Sequence, residues 1–468
     1  MSQAQTPPSE DALVAALDAT VARASHSPLY AERLAGVRIG RLDDFWRLPR
    51  TTRADLQRAG VHGTRAVPLS EVCHYGESSG TSGGGVNATW LTAADVARDA
   101  AALRAAHPAV FGPGRVILNR FPFMAAPAHI VQLIAQQGGG VAIPAGNINW
   151  DVPFPRALEL AQRAGAQVVA GLPLEPIVLA EIARARGIDP ARELAVDALF
   201  LGGAPLPPAM VRRLARIWDA RVVELYGSTE TMLLGTSCAL GTLHLYPALA
   251  HCEVLDAAGG SADEGALLVT TLGVDGSPLV RFEVGDVVRR VGACACGETR
   301  PGLLVLGRAT EVVELGGRRL WPHHVQDAAA AAADALDSSV FFVVVLADRI
   351  VVRVETAGAG GDPLGAWHAR LPGVPVEIER VRPMDLLDVE LLCRSPHVYK
   401  PVVSSDWRGG GRRVVTVSEG MIEWPRPTAA EGRRWFGRVW RAMRRRRALA
   451  RSLAPWPPGR PDAMGSGA

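Results

Sequence analysis

The chain has 468 residues, 48% of them hydrophobic, 21% charged and 6% aromatic, with a formal net charge of +3. Those totals exclude a disordered chain, supply core material for two or three domains, and leave the 6 cysteines too sparse for a disulfide scaffold. Of the 50 basic residues only Lys400 is a lysine; a GC-rich coding sequence produces such an arginine bias without functional cause. The lone ammonium matters because some chemistry needs a compact point charge rather than a planar fork.

In chain order, the N-terminus MSQAQTPPSEDALVAAL has early acids and no basic segment leading into an apolar run. It does not read as a signal peptide, which predicts a cytoplasmic protein. No window approaches the length of a membrane span. Residues from about 10 to 60 read as helical with polar faces. Tyr75–Trp90, YGESSGTSGGGVNATW, is a loop whose amides and hydroxyls can surround phosphate oxygens, although a Ser/Gly run by itself is more often a plain flexible loop. From about 95 to 280, strand-like runs (RVILNRF, GGVAIPA, AQVVAGL, VDALFLGG, RVVELYG) alternate with helical stretches such as PRALELAQRAG and PLEPIVLAEIARARG. Strands alternating with helices predict an α/β fold with mainly parallel sheets.

VVELYGSTET, Val222–Thr231, delivers Tyr226 and Glu230 to the C-terminal edge of that sheet, where α/β folds bind ligands. Asp286 follows a strand in SPLVRFEVGDVV, where a carboxylate can accept both hydroxyls of a ribose. Arg308, just after Gly307, stands where the texture changes to a smaller α+β unit. That unit has an Ala-rich helix (Val325–Leu336), a strand pair within Ser339–Val352 turned at Asp348 and Arg349, a further helix, and the strand VPVEIERV. Cys238, His244, Cys294 and Cys296 form two Cys/His pairs that can close a tetrahedral structural zinc site, with His251 and Cys252 competing for the fourth place. The alternative reads them as buried thiols and a strand histidine. From Glu431 to Arg451 nine arginines stand against one acid, a local +8 that leaves −5 on the rest of the chain. There Trp435, Phe436, Val439, Trp440 and Met443 fall on one helical stripe.

In order and spacing these blocks resemble the adenylate-forming superfamily of acyl- and aryl-CoA ligases, most of all its phenylacetate-CoA ligase branch, over about residues 70 to 410. The matching blocks are Ser78-Ser79-Gly80-Thr81-Ser82-Gly83, Gly202-Gly203-Ala204-Pro205-Leu206, Tyr226 to Glu230, Pro278 to Asp286, and Cys294 to Gly297 followed by Gly307-Arg308. The branch's C-terminal segment, a Lys, then an Asp and an Arg, appears as Lys400, Asp406 and Arg408. The only lysine thus falls where the family places its adenylation lysine.

The resemblance implies a large N-terminal adenylation domain (1–309), a small mobile α+β domain carrying Lys400 (310–418), and an Arg-rich helix with a tail (419–468). It implies ATP phosphates held by Ser78, Ser79, Gly80, Thr81, Ser82 and Gly83, and adenine between Tyr226 and the Gly203–Ala204 backbone. Gly227, Ser228 and Thr229 would line the nucleotide site, Asp286 and Arg308 would hold the ribose, Glu230 would hold magnesium, and Thr310 would be the hinge. Phe121, Phe123, Met124 and Met232 are candidates for the acid pocket. Three departures stand out: Gly84 where many members carry lysine, Thr310-Glu311 where relatives often have two acids, and Gly316-Gly317-Arg318-Arg319 before Trp321-Pro322.

The implied activity is ATP-dependent adenylation of a small carboxylic acid, of aromatic class, with pyrophosphate release and acyl transfer to a thiol. The acceptor stays open among coenzyme A, a carrier-protein phosphopantetheine arm, and an amine or other small nucleophile. The competing class is a non-catalytic member that binds nucleotide or acid. The Arg-rich stretch would dock an acidic carrier protein or a membrane surface; no nucleic acid is expected.

Overall fold

The computed structural model describes residues 8–77, 87–146, 152–358, 360–394, 402–409 and 413–421. Its contacts divide the chain into two units, 1–422 and 423–468, and every described residue lies in the first. The Arg-rich stretch, Lys400 and the loop 78–86 therefore lie outside the described residues.

The N-terminal segment differs from a continuous helical reading. Helix α1 (Glu10–Ala24) is followed by turns, then by short helices α2 (Leu42–Trp46) and α3 (Arg53–Ala59). Pro28, Gly36 and Gly40 interrupt the pattern, and Gly36 takes a left-handed φ of 70°. Thr52 and Asp55 close a capping box that fixes where α3 begins. Strands β1 (Val72–Glu77) and β2 (Ala88–Thr92) pair antiparallel, Glu77 opposite Ala88, so both ends of the 78–86 segment are pinned side by side. Helix α4 (Ala93–Ala106) starts on a second capping box, Thr92 with Asp95.

The alternating region then builds β3 (Val116–Asn119), α5 (Ala126–Gly138), β4 (Val141–Pro144), α6 (Phe154–Ala164), β5 (Val168–Gly171), α7 (Leu174–Ala185), α8 (Pro190–Glu193), β6 (Ala198–Gly202), α9 (Pro208–Trp218) and β7 (Arg221–Ser228). These five strands are parallel in the order β4-β3-β5-β6-β7. Strands β5 and β6 are buried along their whole length, as short apolar runs covered on both faces must be. Helices α6 and α9 bury one face and expose the other, so each covers the sheet with an amphipathic stripe.

The same sheet continues antiparallel through β8 (Met232–Ser237), β9 (Leu243–Leu245), β10 (Ala250–Leu255), β11 (Glu264–Thr271), β12 (Phe282–Val291) and β13 (Gly302–Arg308), reaching eleven strands. Strand β13 inserts between β9 and β12, and β12 therefore carries Asp286 opposite Arg308. Helices α1 to α3 pack on this antiparallel half, with Leu17, Val21, Tyr30 and Phe45 entering its core.

At Ala309–Glu311 a 3₁₀ turn leaves the large sheet. The hairpin β14 (Val313–Leu315)–β15 (Arg318–Leu320) and helix α10 (Pro322–Ala335) follow. Next come β16 (Phe341–Val345), β17 (Ile350–Glu355), α11 (Pro363–His368), β18 (Val376–Val381), α12 (Val389–Arg394), β19 (Ser404–Asp406) and α13 (Val417–Met421). Their four-stranded sheet runs β18-β17-β16-β19. Six consecutive alanines of α10, Ala328–Ala333, are buried, and their small side chains let the helix approach its neighbours closely. No helix among the described residues is long and apolar enough to cross a membrane.

Candidate active site

The C-terminal edge of the parallel strands carries Gly203, Ala204, Tyr226, Gly227 and Glu230 of the predicted residues. Strand β6 ends at Gly202 and hands on to Gly203 and Ala204, both accessible at that edge; β7, beside it, ends through Tyr226 and Gly227. Gly227 is required by close approach: a Cβ there would lie 2.0 Å from the Met232 carbonyl oxygen across the bulged β7–β8 pair. The turn is tied by Ser228 and Thr231, each backbone N–H donating to the other's hydroxyl at 3.1 Å. Met232 leaves it at a left-handed φ of 60°, a strained conformation for a side chain of this kind.

Inside this turn Glu230 is buried, and one carboxylate oxygen accepts a 2.8 Å hydrogen bond from Asn87 Nδ2. Asn87 is the first described residue after the 78–86 segment, so the exit of that loop is anchored at Glu230. The Tyr226 hydroxyl donates to Asp286 Oδ2 at 2.8 Å, and Arg308 Nε stands 3.8 Å from Asp286 Oδ1. Burial pushes the Asp286 carboxyl above its ordinary range, opposed by the Tyr226 hydrogen bond and by the charges of Arg308 and Arg53. Burial likewise pushes the Tyr226 phenol well up, so it stays a donor.

Two residues absent from the sequence reading enter here. Asn87 holds Glu230, and Arg53, at the start of α3, places Nη2 3.8 Å from Glu230 Oε1. The capping motif TTRAD marks a helix start in the sequence, but nothing local says that the helix faces a carboxylate some 180 residues away.

The pocket candidates separate. Phe121 and Met232 are buried in one apolar core, Phe121 meeting Phe200 edge-on at 6.4 Å, whereas Phe123 and Met124 are exposed. Phe123 sits against His129, the rings 6.0 Å apart. Thr310 falls in the turn leaving the large sheet, and burial raises the carboxyl of the adjacent Glu311.

Of the C-terminal segment, Asp406 and Arg408 are described. Arg408 Nε donates to Asp406 Oδ1 at 3.0 Å, and its terminal nitrogens reach the carbonyls of Glu314 at 3.1 Å and Val312 at 3.4 Å. The strand that follows Lys400 is thereby tied to the strand just past the 309–311 turn.

The cysteine cluster forms apart from this edge. The ligand atoms of Cys238, His244, Cys294 and Cys296 all lie within 4.8 Å of one another; His251 and Cys252, on β10, are not among them. Cys238 and Cys294 sulfurs are 3.9 Å apart and Cys296 Sγ is 3.4 Å from His244 Nε2. Thiolates about 2.3 Å from a zinc ion stand roughly 3.8 Å apart at tetrahedral angles, so the donor set fits that metal. His244 Nδ1 donates to the Arg300 carbonyl at 3.0 Å, which leaves Nε2 as the lone-pair face toward the sulfurs.

A family of AMP-binding enzymes matches residues 79–265. Over that span the chain resembles the AMP-binding enzymes. It is 27% identical over 303 residues to a phenylacetate-coenzyme A ligase of Thermus thermophilus, covering 61% of this chain and 65% of that protein. It is 29% identical to a probable 2-succinylbenzoate–CoA ligase of Mycobacterium tuberculosis, covering 69% and 78% of the two chains. A 2-hydroxyisobutyryl-CoA ligase crystallised in the postadenylation state shares the adenylate-forming fold, with a TM-score of 0.73 and 21% identity over 87% of this chain and 92% of that one.

Proposed function

We propose that this chain activates an aromatic carboxylic acid with ATP and transfers the acyl group to coenzyme A. The observation that carries the reading is the convergence of Tyr226, Asp286, Arg308 and Glu230 at one sheet edge, beside the pinned ends of the 78–86 loop. The likeness to phenylacetate- and succinylbenzoate-CoA ligases supports an aryl acid and a CoA acceptor.

In the first half-reaction a carboxylate oxygen attacks the α-phosphorus, the bond to the β-phosphate oxygen breaks, and pyrophosphate leaves. Asp286 accepts the ribose hydroxyls, with Tyr226 and Arg308 holding its carboxylate in place. Tyr226 and the Gly203–Ala204 backbone flank adenine. The hydroxyls and amides of Ser78, Ser79, Gly80, Thr81, Ser82 and Gly83 surround the phosphates. Glu230, oriented by Asn87, is the hard oxygen ligand for magnesium, which neutralises phosphate charge when bound. Lys400 bridges the acid and the α-phosphate, where negative charge concentrates. In the second half-reaction the thiol sulfur attacks the acyl carbon and AMP leaves. The segment from Thr310 to 418 swings between the two, with Arg408 tying the strand after Lys400 to the carbonyls of Val312 and Glu314.

Cys238, His244, Cys294 and Cys296 hold a structural zinc: four protein ligands leave no open position for chemistry. The Arg-rich stretch from Glu431 suits docking to an acidic surface such as a carrier protein.

The test is pyrophosphate release with ATP, magnesium, coenzyme A and a panel of benzoic, phenylacetic, cinnamic and heteroaryl acids, with products read by mass. At least one acid is expected to give stoichiometric pyrophosphate and its acyl-CoA. Products formed only with an amine acceptor would replace the thiol step.

A further inference from the structure

The segment 78–86, SSGTSGGGV, has no charged side chain, so in the proposed nucleotide site it would offer phosphate oxygens only hydroxyls and amides. Among the described residues two guanidinium groups face the acids of the site: Arg308 from β13, toward Asp286, and Arg53 from α3, toward Glu230. Arg308 is paired across the ladder with Asp286 at the ribose end. Arg53 stands beside Glu230 and Asn87, near enough to Asp286 for its charge to oppose the burial of that carboxyl.

Arg53 is held there by more than its own helix. Thr51, two residues before Arg53, bridges to the start of β12: its N–H donates to the Arg281 carbonyl at 2.9 Å and its carbonyl accepts from Glu283 N–H at 2.9 Å. Its hydroxyl donates to the Val280 carbonyl at 2.8 Å. Arg281, buried, pairs with Glu253 and donates to the carbonyls of Trp46 and Leu48, locking the approach to α3 onto the strand that carries Asp286. The acid on α3 itself, Asp55, is occupied by Arg33 and Arg58.

On this rigid mount the Arg53 guanidinium stops 3.8 Å from Glu230, beyond hydrogen-bond contact, with 32% of its side chain exposed while Glu230 shows 3%. A structural ion pair gains by closing to contact. A fork set back from a buried carboxylate and open on one side fits an anion, or an anion with its cation, entering between them. We infer that Arg53 is a ligand of the ATP polyphosphate, supplying near Glu230 the fixed positive charge that the 78–86 loop lacks. The inference rests on the proposed nucleotide site.

Calorimetric titration of the full chain with magnesium-ATP and, separately, with adenosine tests it without knowledge of the acid. Arg53→Gln is expected to weaken ATP binding about tenfold or more, the worth of a hydrogen bond to a charged group, and to leave adenosine within about twofold. Arg53→Lys, which keeps the charge but not the fork, is expected to weaken ATP binding less than Arg53→Gln and to leave adenosine within about twofold. Arg53→Met is read by the same ATP-to-adenosine ratio should the Gln variant melt abnormally. Unchanged ATP affinity in the folded uncharged variants, or equal losses for ATP and adenosine, would overturn the assignment. A wild-type protein that binds no ATP would instead overturn the nucleotide site itself.

Discussion

At the scale of residues, the site depends on carboxylates whose environments differ. Asp286 and Glu230 are each gripped by a neutral donor, Tyr226 and Asn87, and each faces an arginine at 3.8 Å, so ligand binding can exchange those loose contacts for tighter ones. Glu224, on the same face of β7 as Tyr226, has its carboxyl pushed up to about 7 by burial. The folded protein therefore keeps a proton that the unfolded chain releases near its ordinary 4.5. Stability contributed by this group falls as pH rises between those values, and the full deficit is present above the folded pKa. Glu224→Gln, neutral throughout, is expected to melt close to wild type at pH 5 and a few degrees higher at pH 8. A constant difference between the two proteins across that range would remove Glu224 as its source.

The lone lysine gives a second residue-scale prediction. This chain accepts arginine at every other basic position, so Lys400→Arg is the mildest substitution its composition offers. It is expected to lower adenylation on the order of a hundredfold or more without moving the melting temperature, because a planar fork cannot set one short charge between two oxygens. Adenylation near the wild-type rate would take Lys400 out of the mechanism.

At the scale of elements, the parallel strands were legible because each is a short apolar run bounded by a helix of period 3.6; β3 through β7 fall inside the runs that the sequence marks. The β16–β17 pair was legible for a similar reason, its turn at Asp348 and Arg349 being closed by Leu346 N–H to the Arg349 carbonyl. The N-terminal segment was less so, since three short helices separated by turns carry too little periodicity to be told from longer ones. The insertion of β13 between β9 and β12 is a long-range pairing that no local pattern encodes, and it is what sets Arg308 against Asp286. Sequence motifs named the members of that pair, while topology supplies their contact.

The cysteine cluster belongs to this scale too, because it joins the β8–β9 connection to the turn before β13. Elemental analysis is expected to find one zinc per chain. Cys294→Ser should lower that content and drop the melting temperature by several degrees, while the fraction that remains folded adenylates at the wild-type rate. Full metal content in the serine variant, or metal-free protein that melts unchanged, would contradict a structural zinc at this site.

At the scale of the molecule, α9 packs against the segment that follows Thr310. Asp327 of α10 accepts the Ala209 N–H at 2.7 Å, and buried Arg213 reaches Ser339 at 3.2 Å and the Asp337 carbonyl at 2.7 Å. Arg216 pairs with Asp334, and Ile217 and Trp218 share one apolar core with the alanines of α10. Helix α9 begins at Pro208, separated by three residues from Gly203 and Ala204, so the element against which residues 327–339 pack starts close to the proposed nucleotide edge. A domain rotation between two half-reactions would have to break these contacts, which makes the adenylation step the cleaner one to measure. Isotope exchange between pyrophosphate and ATP requires only that step. Exchange that depends on an added aryl acid and needs no coenzyme A is expected; ATP binding with no exchange for any acid of the panel would contradict an adenylating enzyme.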